Sequence, residues 1–128
     1  MTHRLLPIAL LAVATALASC TTTADVGQGS SFAEALELYR LGKSEKAMAV
    51  AVDASGRRAW GFLDGSLTKD HAKEKAVESC RRSAERAGVA APCRLFAVGD
   101  APAPETAQAC REGRLPERFC MLQGRLGS

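Results

Sequence analysis

The chain has 128 residues, 24% of them charged and 47% hydrophobic, with 17 Lys and Arg against 14 Asp and Glu. That is the range of one small globular domain, and it excludes disorder, collagen and a polytopic membrane protein. Below about 150 residues a second complete hydrophobic core is not expected.

At the N-terminus, Met1 to Arg4 carries an Arg and a His, and an apolar run from Leu5 to Leu17 follows, broken only by Pro7 and Thr15. This is the n-region and h-region pattern of an export signal. A helix of this length spans roughly 20 Å, short of the ~30 Å hydrocarbon core, so a permanent span is not expected. The run ends in Leu17-Ala18-Ser19-Cys20, which resembles the bacterial lipobox. The resemblance implies cleavage after Ser19, thioether lipidation of Cys20 and acylation of the new amino terminus. Three acyl chains exceed the two signals needed for stable anchoring. Thr21, where retained inner-membrane lipoproteins often carry Asp, directs the expectation to the outer membrane of a Gram-negative cell, facing the periplasm. The alternative is an ordinary secretory signal, since Ala16-Leu17-Ala18 fits the A-x-A cleavage pattern.

Removing residues 1–19 takes away Arg4 and lowers the net charge from +3 to +2. Both signs are interspersed, and no basic cluster exceeds the pairs Arg57-Arg58 and Arg81-Arg82, so nucleic acid is not an expected partner. Residues 20–30 form the lipidated Cys and a Thr-, Gly- and Ser-rich tether that cannot bury enough surface to fold. Ten such residues reach roughly 17 Å.

The expected core domain covers residues 31–100. Ser31-Phe32-Ala33-Glu34 fits a capping box, and Phe32, Ala35, Leu36 and Tyr39 then recur at i, i+3, i+4 and i+7, predicting a helix to about Leu41 that ends on a left-handed Gly42. Residues 47–52 and 58–62 flank the turn Asp53-Ala54-Ser55-Gly56 and predict a β-hairpin. Alternation puts Met48, Val50 and Val52 on one face and three alanines on the other, which suits a closely packed helix. That helix follows, with Thr68 as N-cap, Asp70 in the first turn, and Ala72, Ala76, Cys80 and Ala84 every fourth residue. A favourable Glu78–Arg82 pair lies on its solvent face and Gly88 at its end. Residues 93–98 predict a third strand.

The fold class is therefore α+β: a small antiparallel sheet of a hairpin plus a third strand, packed against one main helix, in the order α-β-β-α-β. Residues 101–128 form a Cys-containing C-terminal arm, with a short helix over 105–112 stopped by Gly113. A competing fold reads residues 35–47 as half of a tetratricopeptide repeat, but no second copy appears at the required offset.

Assigning Cys20 to lipid leaves Cys80, Cys93, Cys110 and Cys120, an even set with three possible pairings in an oxidising compartment. Short loops favour Cys80 with Cys93 and Cys110 with Cys120, each closure contributing about 3 kcal/mol. A metal site is not expected, because there is no C-x-x-C and the mature chain has only His71. His71 reads as a solvated first-turn residue about 13 Å along the helix from Cys80, out of reach as its base. No cofactor is implied.

Residues 46–98 resemble a family of small exported bacterial domains of unknown function, in Ala59-Trp60-Gly61, the A-x-x-x-A-x-x-x-C helix from Ala72 to Cys80, and Cys93-Arg94-Leu95-Phe96-Ala97-Val98. The resemblance implies a helix on a small antiparallel sheet, stapled by the helix-to-strand disulfide, and supplies no catalytic residues. The expected function is a non-enzymatic binding or interaction module, one version of which is an inhibitor or immunity lipoprotein, with a periplasmic protein or envelope polymer as partner. Its candidate surface residues are Trp60, Arg57, Arg58 and Tyr39, types that commonly anchor interfaces. The plainer reading of Trp60 is core, and of the Arg pair a solvated turn. The alternatives are a purely structural envelope lipoprotein and a cell-wall hydrolase, for which Asp53, Asp64 and Asp70 are the carboxylates near turns.

Overall fold

The computed structural model describes residues 31–127. The expected signal segment, Cys20 and the tether lie outside the described residues. Strands β1 (Ala47–Val52) and β2 (Arg58–Leu63) form the hairpin, with Ala47 opposite Leu63 and Val52 opposite Arg58. Strand β3 (Arg94–Val98) lies antiparallel on the other side of β1, and the two-residue β4 (Ala101–Pro102) extends the sheet to the order β2-β1-β3-β4. Helix α1 (Phe32–Leu41) precedes the sheet, α2 (Lys69–Ala87) joins β2 to β3, and α3 (Pro104–Arg111) and α4 (Glu117–Gly124) follow β4. The α-β-β-α-β order and the α+β class stand as expected, and the sheet gains a fourth strand.

Strand alternation divides the core into two unlike layers. On one face Ala47, Ala49, Ala51 and Ala59 meet Ala72, Ala76, Cys80 and Ala84 of α2. Small side chains on both sides bring the backbones together, and Gly61 marks the closest approach. A Cβ there would lie 2.6 Å from Ser79 Cβ and collide with the Cys80 backbone nitrogen. On the other face Met48, Val50, Trp60 and Phe96 meet Phe32, Leu36 and Tyr39 of α1 and Phe119 and Leu122 of α4. The rings meet edge to face, Phe32 at 5.8 Å from Trp60 and 5.4 Å from Phe96, and Phe96 at 5.8 Å from Phe119. Such pairs add about 1 kcal/mol each beyond area burial.

One disulfide staples each layer. Cys80–Cys93 ties α2 to the start of β3 with Cα atoms 6.0 Å apart, and Cys110–Cys120 ties α3 to α4 at 5.6 Å. Both are the short-loop pairings.

The N-cap of α2 forms as read, Thr68 accepting from the His71 amide at 3.1 Å, and Gly88 closes the helix in the left-handed region at φ 67°. The start and end of α1 differ from expectation. Ser31 makes no side-chain cap bond and its hydroxyl is buried without a partner among the described residues, so the capping box does not form. Gly42 is extended, with φ −67°, and its lack of a side chain serves a different need: a Cβ would lie 2.7 Å from Asp64 Oδ2 and 3.1 Å from the Tyr39 carbonyl oxygen. The helix is closed instead by Lys46, 1% exposed, whose Nζ donates to the carbonyls of Tyr39 (2.9 Å), Arg40 (3.0 Å) and Gly42 (3.3 Å) and pairs with Asp100 at 2.7 Å. A cation there satisfies orphan carbonyls and opposes the negative end of the helix.

The tetratricopeptide alternative is overturned, because residues 47–52 are a central strand and not a second helix. Residues 101–127 do not trail as an arm either. Phe119 and Leu122 complete the aromatic core, and buried Gln123 donates to the Phe96 carbonyl at 3.1 Å and to Thr106 Oγ1 at 2.8 Å.

Candidate functional site

Two of the four candidate surface residues belong to the interior. Tyr39 is 1% exposed and donates its hydroxyl to the Gly99 carbonyl at 2.6 Å, and Trp60 is 7% exposed, packed on Phe32. Tyr39 is a core residue and not a surface anchor, because the helical stripe that includes it must cover the aromatic face of the sheet. Trp60 takes its core reading for the same reason, sitting opposite Val50 on that face.

The neighbouring arginines part company, since successive strand residues point to opposite faces. Arg57 is a turn device. It donates to Asp53 at 3.2 Å and to the Gly88 carbonyl at 2.8 Å, tying the hairpin turn to the end of α2. Arg58 lies on the aromatic face with its guanidinium carbon 5.6 Å from the centre of the Phe32 ring.

Beside Arg58 runs an open groove of about 210 Å³, lined by Val52, Gly56, Arg58, Arg118, Met121, Leu122 and Arg125. Its far wall is one helical face, because Arg118, Met121, Leu122 and Arg125 follow at i, i+3, i+4 and i+7. Leu122 is buried as the floor, while Met121, 66% exposed, stands at the rim. The Arg118 guanidinium lies over Gly56, where a Cβ would meet Nη1 at 2.5 Å. Gly56 itself has φ 88°, a conformation glycine adopts without strain. Three arginines thus border an apolar floor. Among the described residues Arg58 and Arg118 make no ion pair, and the Arg125 carbonyl accepts from Arg40 at 2.8 Å. The wall is held rigidly, by Cys110–Cys120 at one end, by Phe119 against Phe96, and by Gln123. An adjoining groove, lined by Val52, Asp53, Ala54, Pro116, Glu117 and Arg118, continues past the hairpin turn.

The carboxylates weighed for hydrolysis are scattered. Asp53 accepts from the Ser55 hydroxyl at 2.6 Å, the Ser55 amide at 3.0 Å and the Arg57 amide at 2.9 Å. Its hydrogen bond from Ser55, then those from Arg57, hold its carboxyl below the usual range. A carboxylate so held keeps no proton for general acid work near neutral pH. Asp64 sits at the other end of β2, about 20 Å away at strand spacing, where it accepts from the Lys43 amide at 3.2 Å. Paired carboxylates in glycoside hydrolysis stand about 5 to 10 Å apart. Asp70 is exposed in the first turn of α2 with Lys73 at 3.5 Å. His71, also exposed, shares a hydrogen bond with Ser66 Oγ at 2.7 Å. Among the described residues no group of three His, Cys, Asp or Glu could hold a metal ion, and no helix is long and apolar enough to cross a membrane.

Fold and groove together define a disulfide-stapled α+β domain carrying an arginine-bordered, partly apolar trough. No protein family, curated protein or solved structure matches the chain, so its role is inferred from its own residues and their geometry.

Proposed function

We propose that this chain is a lipid-anchored, non-enzymatic binding module of the bacterial cell envelope, held through Cys20 on the periplasmic side of the outer membrane. The observation that carries the binding role is the trough of Arg58, Arg118 and Arg125 around Val52, Met121 and Leu122. A braced wall, arginine side chains and an apolar floor are what recognition of an anionic group needs. The anchor is supported by the lipobox and by cysteine pairing. Cys80, Cys93, Cys110 and Cys120 are all consumed by disulfides, which leaves Cys20 for thioether chemistry.

The test is the intact mass of detergent-extracted protein, alkylated with and without prior reduction. The expected result is a chain beginning at a triacylated Cys20 with four thiols that alkylate only after reduction. An unlipidated chain, or thiols that react without reduction, would overturn the anchor. Turnover of peptidoglycan by the purified protein, abolished by Asp64→Asn, would overturn the non-enzymatic reading.

A further inference from the structure

The trough lies beside the root of the tether. Phe32, over whose ring Arg58 sits at 5.6 Å, is the first residue of α1, and the expected tether of residues 21–30 ends one residue before Ser31. The expected tether, ten residues rich in Thr, Gly and Ser, gives a root-mean-square reach of roughly 17 Å from the expected anchor at Cys20. We infer that the Arg58–Arg118–Arg125 trough docks onto the membrane that carries the anchor, taking the phosphate of an anionic phospholipid headgroup. This rests on the anchored reading above.

Chemistry and geometry agree on the occupant. Guanidinium forks match phosphate oxygens, and three arginines line one trough. Val52 and Leu122 supply an apolar floor, and the exposed Met121 at the rim faces the interfacial region where a glycerol backbone and the first acyl carbons lie. An acidic peptide is less well accommodated, because an extended chain would run on into the adjoining groove and past the carboxylates of Asp53 and Glu117. A headgroup enters end-on and meets only the arginine end. Tethering then raises the local concentration of headgroups at the trough, so weak individual contacts suffice.

The experiment uses the expected mature chain, residues 20–128, with Cys20→Ser, which removes the lipid and leaves the trough. Co-sedimentation is measured with phosphatidylcholine vesicles, with and without phosphatidylglycerol. Binding is expected only with the anionic lipid, weakening with added salt. Arg58→Gln and Arg118→Gln are each expected to lower partitioning about fivefold, the effect of one basic residue at an anionic surface. Arg81→Gln with Arg82→Gln, on the α2 side, is expected to change it little. Equal binding to both vesicles, or equal losses from either pair of substitutions, would overturn the proposal. So would competition by a poly-glutamate peptide that binds the protein when vesicles do not. Binding of free glycerol phosphate as tight as that of vesicles would place the ligand in solution and overturn the membrane source. The mass measurement reads the anchor separately, so failure of either reading is distinguishable from failure of the other.

Discussion

Lys46 is the residue on which the lower half of the aromatic layer turns. Its ammonium closes α1, pairs with Asp100 and lies 4.9 Å from the centre of the Tyr39 ring, while its backbone carbonyl receives the Gly99 amide at 2.8 Å. Lys46→Met keeps the stem but strands three carbonyls, so a loss of about 3 kcal/mol is expected in urea unfolding. Tyr39 makes a second test. Burial, then the Asp100 charge, pushes its phenol above its ordinary value, so the folded state disfavours the phenolate. Its contribution is complete below about pH 10, where the unfolded phenol ionises, and is lost as pH rises further. Wild type is therefore expected to lose stability more steeply above that pH than Tyr39→Phe, measured as the unfolding midpoint against pH. Lys46 was not legible in the sequence, because a lysine between a helix and a strand has no pattern that announces burial. Gly42 was legible as a helix end but not for the right reason, since the neighbour that excludes a side chain, Asp64, is 22 residues away.

At the scale of elements, periodicity carried most of the information. The alternation of β1 and the four-residue repeat of Ala72, Ala76, Cys80 and Ala84 were both readable, and they are the two sides of one contact. Their closeness makes Gly61→Ala a sharp probe. With Ser79 Cβ at 2.6 Å, α2 must lift from β2, and a loss of about 2 kcal/mol is expected as a fall in melting temperature. Elements after residue 100 were harder to read. Phe119 and Leu122 are the only core apolar residues of α4, too few for periodicity to distinguish a packed helix from a polar tail. The cysteines did better, because parity and loop length are properties of sequence alone. Cys110→Ser with Cys120→Ser removes the staple behind the groove wall. About 3 kcal/mol of stability and part of the anionic-vesicle binding are expected to go together, whereas the Cys80→Ser, Cys93→Ser pair should cost a similar stability and leave binding by the folded fraction unchanged.

For the molecule as a whole, the candidate site shows where sequence reading ends. Arg58 stands out in the sequence only as half of a dipeptide, its neighbours Arg118 and Arg125 come from a segment about 60 residues later, and only the docking of α4 against the sheet brings them together. The i, i+3, i+4, i+7 spacing from Arg118 to Arg125 was present in the sequence, but half of that face is charged, and it resembles a solvated stripe until a second wall is placed opposite. Tyr39 and Trp60 were drawn the other way: residue types favoured at interfaces are equally favoured in a core that has few aromatics to fill it.

Neither disulfide encloses α1. The closed loops span Cys80–Cys93 and Cys110–Cys120, while α1 is held by the packing of Phe32, Ala35, Leu36 and Tyr39, the Lys46 clamp and the Arg40 bond to the Arg125 carbonyl. In an anchored chain, tension enters at Phe32 and reaches this helix before any cross-linked part. α1 then acts as a mechanical fuse, peeling away as residues 32–45 straighten to a contour of about 50 Å while the stapled sheet stays closed. Pulling from the N-terminus in a force trap should yield one short, low-force extension before the main rupture, and Lys46→Met should lower the force of that first event alone.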